Sequence, residues 1–190
     1  MIIIKDYGVE LRQLTEDKIE MVRQWRNSEK INRYMAFRGE ISPEMQKDWF
    51  MKVSQSDNQF YFIIAVDDKE VGLINIKNVD WELKTGESGI FIYDDSCLHA
   101  GVSYRAALCQ RDFAFRILHL DTLQAHILNT NPRSIKYNKK FGFQLADGEE
   151  SSPSYECNQL YLLDREEYYS NKLNIINMLS ERYNFPPPIW

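Results

Sequence analysis

The pattern of apolar and polar residues near the start of the chain predicts a strand followed by a helix. Val9 to Leu14 alternates with a period of two, which is typical of a half-buried strand. Ile19, Val22 and Trp25 then recur at helical spacing, and Thr15 is a suitable N-cap ahead of them. A strand that leads directly into an amphipathic helix indicates that both elements cover one core.

A polar connector separates this helix from a second one. Ser42 is followed by Pro43, and proline favours the first position of a helix. Met45, Trp49 and Val53 follow at helical spacing, so we expect them to form the apolar stripe of this second helix.

Apolar runs separated by turn residues then predict strands. Phe60 to Val66 and Val71 to Val79 flank the turn Asp67-Asp68-Lys69, which is the pattern of a hairpin. Gly89 to Tyr93 is a further short apolar run. A long helix is predicted from Val102 to about Leu118, with one face formed by Ala106, Cys109, Phe113 and Ile117.

The remaining elements complete a mixed α/β fold. Thr122 to Leu128 is predicted to be a strand, and Asn131 caps a helix that stops at Gly142. Phe143 to Leu145 and Asn158 to Leu163 are predicted to be a final pair of strands. The order of elements favours a single-layer sheet with helices on its faces.

The C-terminal segment has its own pattern. Tyr169, Leu173, Ile176 and Leu179 recur at helical spacing between Glu166 and Arg182, which predicts a helix docked on the body of the protein or, alternatively, on a second subunit. The sequence from Phe185 to Pro188 reads as a loose extended end rather than a proline-motif ligand.

Composition narrows the class of protein. The 190 residues are 44% hydrophobic and 27% charged, with a net charge of −5, which gives no support for binding to nucleic acid or to an anionic membrane. Three cysteines without ligand spacing indicate neither a disulfide framework nor a zinc site, so no metal is expected. The apolar run at the N-terminus is too short for a signal peptide, and no stretch approaches a membrane span. We therefore expect a cytoplasmic protein.

A glycine-containing turn precedes the long helix. Backbone N–H groups at a helix N-terminus favour phosphate. The turn Leu98 to Ser103 resembles the phosphate-binding turn Gln/Arg-x-x-Gly-x-Gly/Ala of the GNAT superfamily of acyl-CoA-dependent N-acyltransferases. Gly101 matches that pattern, whereas Leu98 stands in place of Gln or Arg and Ser103 in place of the second small residue.

Two further segments carry the resemblance, which covers roughly residues 9 to 165. Asn131 to Ile135, running into Lys140 to Phe143, resembles the Asn-x-x-Ser/Ala helix of the family and its Gly-Phe exit. Trp25 to Asn27, followed by Ile41-Ser42 and Trp49-Phe50, is similar to acetyltransferases that act on nucleotide-linked amino sugars, such as those of the pseudaminic acid pathway, and to the ribosomal-protein acetyltransferases.

The resemblance implies a fold, a cosubstrate and a set of binding residues. It implies a mostly antiparallel central sheet in residues 1–165, with residues 166–190 packed on the same domain as a helix and tail, and acetyl-CoA as the acyl donor. The thioester would lie along the strand, the pyrophosphate on the turn amides and the pantetheine near the next helix. The thioester would lie along Phe91, Ile92 and Tyr93. The pyrophosphate would be held by His99, Ala100, Gly101, Val102 and Ser103. The pantetheine would lie near Asn131, Ser134 and Asn138.

Two residues are candidates for the general base. Glu87 opens the strand beside the implied acyl site and is either the base or a solvated carboxylate at a strand end. His126 lies on a strand where many relatives carry a Glu base, and it is either a base or a histidine of the core. The tyrosine acid of the family falls at Asn138, and Tyr137 lies one position earlier, about 100° around the helix.

The acceptor remains open between several classes. Trp25, Arg26, Asn27, Arg33 and Trp49 lie in or near the link that lids the acceptor groove in the family, and Arg26 or Arg33 could take a nucleotide diphosphate. The favoured acceptor is a small-molecule amine on a nucleotide sugar. A protein N-terminus, a polyamine, or a CoA-binding module without turnover are the alternatives, and a homodimer is left open.

Overall fold

The computed structural model describes residues 1–150 and 154–185, apart from the side chain of His99. The strands are β1 (Ile3–Asp6), β2 (Val9–Gln13), β3 (Phe60–Val66), β4 (Lys69–Asp80), β5 (Thr85–Ile92), β6 (Thr122–Leu128), β7 (Gln144–Leu145) and β8 (Asn158–Asp164). The helices are α1 (Ile19–Asn27), α2 (Glu29–Asn32), α3 (Pro43–Ser54), α4 (Val102–Asp112), α5 (Pro132–Lys140) and α6 (Arg165–Tyr183).

The strands form one mixed sheet. Their order is β1-β2-β3-β4-β5-β6-β8-β7, and every neighbouring pair is antiparallel except β5 and β6, which are parallel. Asp67 and Asp68, both with positive φ, make the tight turn between β3 and β4, and such turns match the twist of antiparallel strands. The expected fold class, a mostly antiparallel sheet with helices on its faces, is confirmed.

Helices cover both faces of the sheet. Successive residues along a strand point to opposite faces, so each strand contributes apolar side chains on both sides. Phe62 and Ile64 of β3 face α4 and α6, together with the fully buried Leu108 and Leu179 from those helices. Ile63 faces the other way, into a smaller core formed with α1. α3 covers the same face as α1. Aromatic side chains of α3, β3 and β5 pack against the smaller core on this face.

A buried carboxylate ties the two ends of the described chain to α4. Asp112 accepts hydrogen bonds from the hydroxyls of Tyr7, at 2.7 Å, and Tyr168, at 2.9 Å, and from the ammonium of Lys172 at 2.8 Å. Burial, followed by the hydrogen bond to this carboxylate, raises the pKa of Tyr7. Asp112 therefore joins the β1–β2 turn and α6 to the centre of the fold.

The structure departs from the sequence-based expectations in helical phase. Met45 is 47% exposed and Gln46 is the buried residue of α3, so Met45 was wrongly placed in the stripe, whereas Trp49 packs against the core as expected. Residues Phe113–Ile117 form a π-helical turn, which leaves Ile117 64% exposed although it was predicted to share the apolar face. A π turn adds one residue to the helical repeat and so rotates the residues after it.

Three local features also differ from the expectations. Thr15 precedes a 3₁₀ turn, where its side chain makes no capping bond to the backbone. β1 and α2 were not predicted, and both are only four residues long. Of the predicted extended end from Phe185 to Pro188, residues 186–188 lie outside the described residues.

Candidate active site

β5 and β6 pair along only part of their length and then separate. Their parallel register ends at Glu87 and Gln124. Beyond that point β5 bonds only to β4, and β6 only to β8. The hydroxyl of Ser88 donates to the carbonyl oxygen of Gln124 at 3.2 Å, where the strands part. The separation leaves two strand edges, Gly89–Ile92 and Ala125–Leu128, facing a common opening, and free edge groups of this kind can pair with an extended ligand.

The N-terminus of α4 lies beyond β5. Gly101 has a φ of +65°, which glycine adopts without strain, and the helix begins with Val102. No side chain among the described residues caps this N-terminus, and its first turn carries no acidic residue. Free backbone N–H groups with the positive end of a helix dipole suit a diphosphate. Gly101, Val102 and Ser103, which the sequence analysis expects to hold the pyrophosphate, form this uncapped N-terminus.

The N-terminus of α5 is arranged differently. Asn131 Oδ1 accepts the backbone N–H of Ser134 at 3.0 Å, so Asn131 is the N-cap of this helix. The side-chain amide of the buried Asn138 donates to the carbonyl oxygen of Ser134 at 3.0 Å. These three predicted cofactor residues therefore lie together on one helix and bond largely to one another.

Tyr137 joins α5 to α4. Its hydroxyl donates to the carbonyl oxygen of Ser103 at 2.8 Å, and its ring packs on Tyr104 and Phe141. Burial raises the pKa of Tyr137, so the phenol stays protonated at neutral pH. The hydrogen bond holds this tyrosine against the first turn of α4.

Basic side chains surround the first turn of α4. Burial raises the pKa of Tyr104, and the positive charges of Arg182 and Arg133 oppose that rise. The ammonium of Lys140 lies 5.4 Å from the centre of the same ring. α5 and α6 therefore both carry basic residues near the end of α4 that the resemblance assigns to a diphosphate.

The two candidate bases lie on one face of the sheet. Glu87 points to the face that α1 and α3 cover, where its carboxylate contacts Lys77 Nζ at 2.8 Å and accepts from Asn78 Nδ2 at 3.1 Å. His126 lies on the same face, two residues beyond the register partner of Glu87, Gln124. It is exposed, so it is not a histidine of the core.

Three of the predicted acceptor residues serve different local purposes. Trp25 is 6% exposed and stacks on Tyr93 with ring centres 5.3 Å apart, so it supports the end of β5. The Asn27 amide bonds to both the N–H and the carbonyl of Ile41 at 2.9 Å. Arg33 is exposed and lies over the ring of Tyr34.

Arg26 and Trp49 lie deeper, around a residue that the sequence analysis did not single out. Trp49 meets the ring of Tyr61 edge-on at 4.9 Å. Burial raises the pKa of Tyr61 to about 12, the charge of Glu87 adds to that rise, and the charge of Arg26 opposes it. Burial also lowers the pKa of Arg26. Tyr61 therefore contacts Trp49 and is influenced by the charges of both Glu87 and Arg26.

A segment after α1 crosses the opening between the two strands. Lys30, on α2, donates to the carbonyl oxygen of Tyr93 at 2.5 Å, beside the end of β5. Farther along, Arg38 contacts Glu156 at 2.6 Å, just before β8, and Glu156 also accepts from Thr130. We call residues 28–41 the strap, because they connect the two sides of the opening.

The comparison with protein families agrees with this geometry. The model of the acetyltransferase (GNAT) domain matches residues 9–144. The chain belongs to the GNAT acetyltransferase family. The match spans the sheet from β2 to the start of β7 and includes the opening between β5 and β6, and the protein is accordingly an acetyltransferase.

Individual relatives and solved structures extend the comparison. The chain is 26% identical over 157 residues to acetyltransferase PseH from Campylobacter jejuni serotype O:2, covering 83% of this chain and 93% of that protein. A crystal structure of spermidine N-acetyltransferase from Vibrio cholerae, in complex with CoA and spermine, superposes with a TM-score of 0.75 at 17% identity, covering 86% and 99% of the two chains. A domain from Methanocaldococcus jannaschii superposes with a TM-score of 0.68 at 21% identity, covering 82% and 97%.

The described residues contain neither a metal-ligand cluster nor a membrane-spanning helix. No group of three or more His, Cys, Asp or Glu side chains there is arranged to hold a metal ion. None of the helices in that part of the chain has the length and hydropathy needed to cross a bilayer.

Proposed function

We propose that this acetyltransferase moves an acetyl group from acetyl-CoA to the primary amine of an amino sugar carried by a nucleotide. The observation that carries the proposal is the separation of β5 from β6, which opens beside the uncapped N-terminus of α4. One opening thus offers a strand edge to an extended arm and backbone N–H groups to a diphosphate. CoA is a molecule with both parts.

The residues present fit the donor. The N–H groups of Gly101, Val102 and Ser103 would hold its diphosphate, and the edge of β5 from Gly89 to Ile92 would pair with its pantetheine arm. When bound, the donor supplies a thioester activated for acyl transfer. The protein holds the thioester and the acceptor amine in position and keeps the amine neutral. Backbone N–H groups can stabilise the oxyanion.

Glu87 is the favoured general base for removing the proton of the acceptor. It lies on the face of the sheet that α1 and α3 cover, at the point where β5 and β6 separate. Its side chain is only 17% exposed. Lys77 and Asn78 hold its carboxylate in place. His126 is the second candidate on the same face. Asn138 stands where the family has its tyrosine acid, and the hydroxyl of Tyr137 is bonded to Ser103. Water or direct transfer from the amine would therefore protonate the departing thiolate.

Two kinds of likeness bear on the acceptor. The segments around Trp25 and Trp49 resemble acetyltransferases of nucleotide-linked amino sugars, and acetyltransferase PseH is similar over most of both chains. The Vibrio cholerae enzyme, named for spermidine, makes a polyamine the second candidate, although at 17% identity that likeness extends to the fold alone.

Release of free CoA thiol from acetyl-CoA tests the proposal. The purified protein is incubated with a UDP-linked amino sugar, with a peptide bearing a free N-terminus and with spermidine, each at matched concentration. We expect thiol release that depends on the amino sugar. Turnover with spermidine alone would show that the acceptor is a polyamine instead. Binding of CoA without turnover of any amine would indicate a CoA-binding module without catalytic activity.

A further inference from the structure

Gln110 is a polar residue that α4 turns into the core of the protein. The residue is 2% exposed, and its Nε2 donates to the carbonyl oxygen of Asn75 on β4 at 2.5 Å. The same nitrogen lies 3.4 Å from the carbonyl oxygen of Gly89 on β5. Asn75 and Gly89 are register partners, so one amide from α4 contacts both strands of the pair. Gly89 directly follows Ser88, whose hydroxyl marks the point where β5 and β6 part.

The ladder between β4 and β5 determines where the backbone groups at Gly89 point. The N–H of Tyr93 donates to the carbonyl oxygen of Val71 at 2.8 Å, so these two residues form a hydrogen-bonded pair. Hydrogen-bonded and non-bonded pairs alternate along an antiparallel ladder, so the Asn75–Gly89 pair, four residues away, is also hydrogen-bonded. The carbonyl of Gly89 therefore points towards β4. Because the peptide unit is planar and trans, the N–H of Ile90 points the other way, into the opening.

Gly89 is also confined from the opposite face of the sheet. Asn75 lies two residues after Leu73, which packs in the core on the side of α1, so its side chain is on that face too. A Cβ atom placed on Gly89 would be 3.1 Å from Asn75 Nδ2 and 3.2 Å from its Oδ1. The side-chain amide of Asn75 thus covers Gly89 on one face, while Gln110 reaches its carbonyl from the other.

Arg111 holds the other end of the Gln110 amide. The arginine is 1% exposed, and its guanidinium donates to Gln110 Oε1 at 3.2 Å and lies 3.9 Å from the ring centre of Phe141, at the end of α5. The next residue, Asp112, pairs with Lys172, and Arg111 Nε has no partner among the described residues. A buried charge without a carboxylate is costly for folding, so stability alone does not account for Arg111.

We propose that Gln110 is a positioning residue for acyl transfer: it fixes the peptide between Gly89 and Ile90 so that its N–H meets the carbonyl of the donor thioester, and Arg111 holds Gln110 in this orientation. This inference rests on the proposed function. An N–H that is directed in advance at the developing oxyanion stabilises the transition state without reorganisation. Both side chains are buried behind β5, so they act through its backbone.

The carbonyl stretch of acetyl-CoA, labelled isotopically at the thioester carbon, tests this hydrogen bond directly. In difference infrared spectra of the complex, the band should lie at a higher frequency in Gln110→Met than in the wild-type protein, because a hydrogen bond lowers the frequency of a carbonyl stretch. Leu108→Val is the matched control, since it alters another fully buried side chain of α4 and should leave the band in place. Identical bands for Gln110→Met and the wild-type protein would overturn the proposal.

Turnover with the best acceptor of the panel gives the second test. Gln110→Met should lower kcat about 10- to 100-fold, since a small misplacement of a reacting group can cost about 10²-fold, and should leave the Kd of CoA, which has no thioester, unchanged. Gln110→Glu keeps the shape of the side chain and the oxygen for Arg111 but loses the donor, so it should be equally slow. A loss of kcat in Leu108→Val as large as in Gln110→Met would show that the effect comes from core packing and would contradict the positioning role.

Arg111 is tested by measuring stability and turnover together. Arg111→Met removes a buried charge and keeps the length of the side chain, so it should resist urea as well as the wild-type protein does and still lower kcat. A variant that is destabilised but turns over normally would show that Arg111 serves folding alone. Turnover that neither Gln110→Met nor Arg111→Met slows overturns this inference and leaves acyl transfer intact, whereas a wild-type protein that does not bind acetyl-CoA removes the proposed function as well.

Discussion

Glu87 and Lys77 are register partners on neighbouring strands, and their charged groups are 2.8 Å apart on the face of the sheet that α1 and α3 cover. If Glu87 is the general base, Glu87→Gln should lower kcat by about 10²-fold or more, since a positioned base contributes roughly 10²–10⁴-fold. The measurement is thiol release as a function of pH with the best acceptor.

Lys77→Gln is the matched control for this pair. It breaks the same ion pair but leaves the carboxylate in place, so kcat should fall by much less. His126→Ala tests the second candidate base and should have the smaller effect, because its side chain is exposed and makes no hydrogen bond with the described residues. A pH–rate profile that neither Glu87→Gln nor His126→Ala alters would contradict both assignments.

Gly101→Ala should destabilise the protein and weaken CoA binding. The left-handed backbone costs a non-glycine residue about 1–2 kcal/mol, and the new Cβ would lie 2.8 Å from Leu179 Cδ2. Gly148→Ala is the control, because Gly148 also has a positive φ but nothing lies within 4 Å of its Cβ position. Urea denaturation and titration with CoA should show a larger loss for Gly101→Ala, and equal losses would mean that α6 yields at this contact.

Asp112→Ala should be among the most damaging single substitutions in the core. It leaves the hydroxyls of Tyr7 and Tyr168 and the ammonium of Lys172 without their shared acceptor, which should cost about 3–5 kcal/mol. Tyr7→Phe removes one hydrogen bond and should cost about 1 kcal/mol. Chemical denaturation of both variants gives the comparison, and a smaller loss for Asp112→Ala would contradict the role of the carboxylate.

Tyr61 should make stability fall at alkaline pH. The pKa of Tyr61 is raised from 10.0 to about 12 in the folded protein, so the folded state keeps a proton that the unfolded state loses. Its contribution to the free energy of unfolding is complete below pH 10 and is lost as the pH rises towards 12. Tyr61→Phe should remove up to about 1–2 kcal/mol of this decline, measured as the difference between the two proteins at pH 8 and pH 11.5. If the free energy of unfolding fell equally with pH in both proteins, the pKa of Tyr61 would be the same in the folded and unfolded states.

Periodicity predicted the sheet well because most of its strands are buried on one or both faces. β6 occupies the predicted residues Thr122–Leu128, and α6 spans the predicted C-terminal helix. The prediction was less successful where geometry departs from a regular repeat. A π turn after Asp112 moves Ile117 out of the apolar face, and no local pattern in the sequence marks that change.

Gln46 shows why the acceptor side was harder to predict. Its neighbours Met45 and Trp49 suggested an apolar stripe, whereas the helix turns the polar residue inwards and leaves Met45 exposed. Gln46 faces the sheet because it shares a helix face with Trp49, which packs on Tyr61. A glutamine next to an apolar stripe was the only available signal. The strap was equally hidden, because its contact with Glu156 joins positions 118 residues apart.

The hydrogen bonds of Asp112 also constrain how the protein is made. The tyrosine hydroxyls that this carboxylate accepts come from 105 residues earlier and 56 residues later in the chain. Until α6 is made, the carboxylate of Asp112 on α4 therefore has the hydroxyl of Tyr7 but lacks the hydroxyl of Tyr168 and the ammonium of Lys172. A chain cut short before α6 should therefore be strongly destabilised, because two of the three donors to this carboxylate are then missing.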